Sequence, residues 1–101
     1  MGKATLNPTK HRILVIDDDI DLAHTLKEIF ELEGASVDVA YNGKEGIFLH
    51  TQLPYDIIIS DLVMPVMDGL EVVMWIKENS PQTKLLVVSG GGYLDSKDYC
   101  N

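Results

Sequence analysis

From Arg12 the chain runs Ile13-Leu14-Val15-Ile16 and then stops at Asp17-Asp18-Asp19. A segment apolar at every position reads as a strand buried on both faces, and such burial implies a parallel sheet. Next, Ile20, Ala23, Leu26, Ile29 and Phe30 recur at three- and four-residue spacing, which predicts an amphipathic helix capped by Asp18 or Asp19 and ended at Gly34. The unit then repeats. Residues 35–41 alternate through Val37 and Val39, and Asn42-Gly43 turns into a helical segment through Ile47, Phe48 and Leu49, closed by Pro54. Gly46 is expected to weaken that helix. Residues 55–61 form a third strand that again ends at an acid, Asp61, and Asp68-Gly69 precedes a helix from Leu70 to Glu78. Residues 84–89 are the fourth strand, with Leu85-Leu86-Val87-Val88 at its centre. Strands alternating with helices predict right-handed crossovers and a doubly wound α/β sheet. Met67, Met74, Trp75 and Phe30 are assigned to helix packing.

Composition narrows the picture. With 101 residues, 46% of them hydrophobic, there is room for one domain and one core. Residues 1–10 lack apolar periodicity and read as a flexible leader, which leaves 11–101 for the domain. The formal charge of -8 repels nucleic-acid phosphates and anionic lipid, so direct nucleic-acid binding is not expected. Apolar runs of about five residues are far short of a membrane span, and no signal core opens the chain, so a cytoplasmic location is expected. The single cysteine, Cys100, has no thiol partner for an intrachain disulfide.

In a parallel sheet the residues that end the strands share one edge. Here those residues are Asp17, Asp18 and Asp19, then Asp61, then Ser89. Ligands of open α/β sheets bind at that carboxyl edge, at a topological switch point. Carboxylates crowded together there raise one another's pKa or recruit a hard cation, for which Mg2+ is the natural candidate. An ion that keeps open positions suits phosphoryl chemistry. A single acid after a strand is more often a turn former or helix cap, the reading given to Asp19 and Asp68 taken alone. The histidines His11, His24 and His50 are scattered away from this edge and receive no catalytic role.

The runs Ile13-Leu14-Val15-Ile16-Asp17-Asp18-Asp19, Asp56 to Gly69 and Val87-Val88-Ser89-Gly90, with Asn42-Gly43 between them, resemble the receiver domain of two-component response regulators. The resemblance implies a flavodoxin-like fold and a self-modifying phosphoacceptor rather than a turnover enzyme. On it, Asp61 matches the residue phosphorylated by a sensor histidine kinase or phosphotransfer protein. Asp18 matches a direct Mg2+ ligand, Asp17 the neighbouring acid, and Val63 the position whose backbone carbonyl coordinates the ion. Ser89 matches the hydroxyl that bonds the new phosphoryl group and switches the conformation.

The family pattern continues to a fifth strand ending in a lysine and to a fifth helix, and this chain carries no match to them. It therefore reads as a receiver truncated in or before helix four, with strands one to four only. Strand four is expected to be an unpaired edge, which favours homo-oligomers or domain swapping. Two other readings stand beside the phosphoacceptor. One is a pseudo-receiver or protein-interaction scaffold with weak or no phosphorylation. The other is a phosphohydrolase of the haloacid dehalogenase type, with Asp17 as nucleophile and Asp19 as its acid partner.

Overall fold

The computed structural model of the chain describes residues 11–61, 69–89 and 92–95. The order is β1 (Arg12–Ile16), α1 (Ile20–Leu32), β2 (Ser36–Ala40), α2 (Gly43–Gln52), β3 (Ile57–Asp61), α3 (Gly69–Asn79), β4 (Lys84–Ser89) and β5 (Gly92–Asp95). The strands lie in one sheet in the order β2-β1-β3-β4-β5, and the first four are parallel.

Because side chains alternate across a strand, each of β1–β4 supplies both cores. Ile13, Val15, Val37, Ile57 and Ile59 face Ala23 and Leu26 of α1, while Leu14, Ile16, Ile58, Leu85 and Val87 face α3 residues Val72, Val73 and Ile76. This places α1 on one side of the sheet and α2 and α3 on the other, as the unbroken apolar runs require. Asp19 caps α1, its side chain accepting from the Leu22 N–H at 3.1 Å. The helix ends in a Schellman pair, with Gly34 N–H bonded to Glu31 O and Ala35 N–H to Phe30 O, and Gly34 takes the positive φ of 98° that this reversal needs. Asn42 caps α2 by accepting from Glu45 N–H, and the Glu45 carboxylate reaches back to Tyr41 N–H.

Three expectations change. Residues 92–95 form a strand, where the chain was expected to end in or before a fourth helix, and β4 is not an open edge, because β5 pairs with it antiparallel from Ser89↔Gly92 to Leu86↔Asp95. The physical reason is compositional: glycines favour a chain reversal and Tyr93 favours a strand. With β4 paired, no open edge there favours association. Second, Ile20, Ile29 and Phe48 are exposed, so the buried stripes of α1 and α2 are narrower than the apolar periodicity suggested. Third, Met74 is exposed, while Phe30 and Trp75 pack against the cores as expected. The leader, Met67, Asp68 and residues 96–101 lie outside the described residues.

Candidate functional site

The sheet order places the switch point between β1 and β3: the chain leaves β1 toward β2 on one side, and β3 lies on the other. The acids sit at the carboxyl ends of those two strands. The Asp17 N–H donates to Ala40 O at 3.0 Å, which extends the β1–β2 ladder by one residue and fixes the point from which Asp17 and Asp18 depart. Asp17 is 3% exposed, and its Oδ1 accepts the Asp19 N–H at 2.9 Å. Asp61 closes β3 and is half-buried, and Asp18 is exposed.

Carboxylate oxygens of Asp17, Asp18 and Asp61 all lie within 4.8 Å of one another. Burial raises the Asp17 carboxyl above its ordinary 3.8, and repulsion from Asp61, Asp18 and Asp19 adds to this against the opposing Asp19 N–H bond. Two oxygens each ~2.1 Å from a small divalent ion stand at most about 4.2 Å apart. The three donors therefore fall at, or within about half an ångström of, the span such an ion imposes. Hard oxygen donors with graded exposure fit a hard cation that keeps water on its open side.

The register adds Ser89. Asp61 is the partner of Val88 across β3 and β4, so Ser89 is the next residue along β4, at the same edge as the acids. Its backbone position is described, whereas the contact expected of its hydroxyl is not. Val63 lies outside the described residues. Asp19 caps α1 through one carboxylate oxygen, and Asp17 is buried. Sequence reasoning missed Ala40, because a backbone acceptor leaves no side-chain signal. A hollow of about 360 Å³, lined by His11, Tyr55, Asp56, Thr83 and Lys84 among others, opens at the opposite, amino end of the strands and shares no residue with the acids.

A sequence profile of the response regulator receiver domain family matches residues 13–99. The chain belongs to this family. Among curated relatives, the cell cycle transcriptional regulator CtrA of Caulobacter vibrioides is 33% identical over 86 residues, 85% of this chain and 37% of its own length. The transcriptional regulatory protein ResD of Bacillus subtilis is 36% identical over 85 residues, 84% of this chain and 35% of its own length. The receiver chain thus spans little more than a third of these relatives. Among solved structures, the response regulator TrrA of Thermotoga maritima, in complex with Mg(2+)-BeF, matches with a TM-score of 0.75 at 35% identity, over 78% of this chain and 69% of that one. The receiver domain of Francisella response regulator 1452 matches with a TM-score of 0.74 at 34% identity, over 79% and 66%. The four parallel strands and three helices are the flavodoxin-like receiver fold. No helix among the described residues is long and apolar enough to cross a membrane.

Proposed function

We propose that this receiver accepts a phosphoryl group on Asp61 from a phosphohistidine of a sensor histidine kinase or phosphotransfer protein. The observation that supports it is the gathering of Asp17, Asp18 and Asp61 at one switch point, with half-buried Asp61 open to a donor and Asp17 buried behind it. A carboxylate oxygen of Asp61 bonds to phosphorus as the P–N bond breaks. The electron pair leaves with the imidazole, and an acyl phosphate remains. Asp17, Asp18, Asp61 and the Val63 carbonyl would hold Mg2+, with Val63 assigned by family resemblance alone. When bound, the ion neutralises charge on the transferring oxygens. Ser89, one residue beyond the partner of Asp61, is the proposed switch: the phosphoryl group brings acceptor oxygens that its hydroxyl can bond.

Receiver domains are in general signalling domains rather than enzymes, and this one is read as self-modifying. CtrA and ResD are named as transcriptional regulators. We read this acidic chain as the cytoplasmic input of such a regulator, with no nucleic-acid contact of its own. Beryllium fluoride, a phosphoryl mimic, provides the test. With Mg2+ it is expected to shift the amide resonances of Asp61 and Ser89, and Asp61→Asn is expected to abolish the shift. Unchanged spectra with both additions would leave only the scaffold reading.

A further inference from the structure

His50, which the acidic edge does not use, is the centre of a second polar cluster at the opposite end of the sheet. It stands in the last turn of α2, 3% exposed. Its Nδ1 accepts the Tyr55 N–H at 3.1 Å, so the ring proton resides on Nε2. Nε2 then donates to Ser80 Oγ at 2.9 Å, which leaves the Ser80 O–H for Thr83 Oγ1 at 2.7 Å. Ser80 and Thr83 are themselves buried. The imidazole stacks on Tyr55 at 6.1 Å and meets Trp75 of α3 edge-on at 6.3 Å. One neutral ring thereby joins the corner between α2 and β3 to the turn between α3 and β4.

We propose that His50 is a proton-operated latch: neutral, it ties these two corners together, and protonated, it turns a second N–H against the Tyr55 N–H and releases that corner. The groups around the ring are the Tyr55 ring in the corner before β3, Trp75 of α3, the Ser80 hydroxyl and, bonded to that hydroxyl, Thr83. None of these is an acid that would welcome an imidazolium. The charges engaged with this cluster, Arg12 over the Tyr55 ring at 4.4 Å and Asp38 on the Tyr55 hydroxyl at 2.6 Å, are held by Tyr55. Burial pushes the His50 imidazole below its ordinary 6.5. The closed corner therefore binds fewer protons than the open one, and acid favours opening. Tyr55 precedes β3, at the amino end of the strand that Asp61 closes, so the latch is separate from the acids and acts on how α2 and α3 seat.

Amide hydrogen exchange of the intact chain between about pH 7.5 and 5, read with the His50 ring titration by NMR, tests this. As pH falls from the ordinary imidazole value of 6.5 toward the lower midpoint of His50 in the folded chain, Tyr55 protection is expected to fall by up to roughly tenfold per pH unit and then level off, while Ile16 and Ile58 in the central strands keep theirs. In His50→Asn the Tyr55 protection is expected to lose its pH dependence. If that variant does not fold, the contrast between Tyr55 and Ile58 in the unaltered chain decides. Flat Tyr55 protection, or Tyr55 and Ile58 losing protection together, would overturn the proposal.

Discussion

At the scale of single residues, Asp17 is the most informative. Burial and three neighbouring carboxylates oppose its charge, and the Asp19 N–H favours it. Its folded pKa lies above 3.8, so the native state binds the proton more readily than the unfolded chain does. The stabilisation that this brings is present in acid and is lost as pH rises through the folded value, leaving the ionised side chain a cost at neutral pH. Asp17→Asn keeps an acceptor for the Asp19 N–H and removes the charge. It is expected to raise the melting temperature in metal-free buffer at pH 7 while weakening Mg2+ binding by at least roughly the 10- to 100-fold lost when partners of metal ligands are removed. A lower melting temperature with unchanged Mg2+ affinity would contradict this. The acids themselves were legible, because their role follows from standing at the ends of apolar runs. The Ala40 carbonyl that aims Asp17 was not, since any residue presents one.

At the scale of elements, Gly46 shows what local propensity misses. In sequence it is a weak point of α2. In the fold, a Cβ there would stand 2.8 Å from Ile16 Cγ1 and closer still to Cδ1, with Ile16 wholly buried. Gly46 is what lets α2 lie close on β1. Replacing it with alanine gains about 1 kcal/mol of helix propensity but overpacks a filled core at a cost of about 1–3 kcal/mol. Gly46→Ala is therefore expected to be destabilising in urea denaturation, and a gain in stability would show that Ile16 has room to turn aside. The same contrast runs through the other elements. The alternation of strands and helices was legible because burial on both faces leaves no polar break until the strand ends. The exposure of Ile20, Ile29 and Met74 was not, because periodicity locates a face without giving the width that neighbours cover.

At the scale of the molecule, the parallel order β2-β1-β3-β4 turns a list of strand ends into one acidic edge, and that conversion makes the site legible in the sequence. The antiparallel β5 escaped sequence reading because four residues beside a glycine run carry too little pattern to separate strand from helix. It closes β4 without altering the edge where the acids stand. His50 escaped for a related reason: a histidine in an amphipathic stretch gives no sign that Tyr55, Ser80 and Thr83 will converge on it.

On the proposed function, crowding of Asp17 and Asp18 around Asp61 prepares this one carboxylate to take a phosphoryl group with a divalent ion. Incubation with acetyl phosphate, followed by gentle mass spectrometry, measures it most directly. The expected result is an adduct of one PO3 group that requires Mg2+, is labile as an acyl phosphate, and is absent from Asp61→Asn. An adduct that persists in Asp61→Asn, or none at all in the unaltered chain with Mg2+ present, would contradict it.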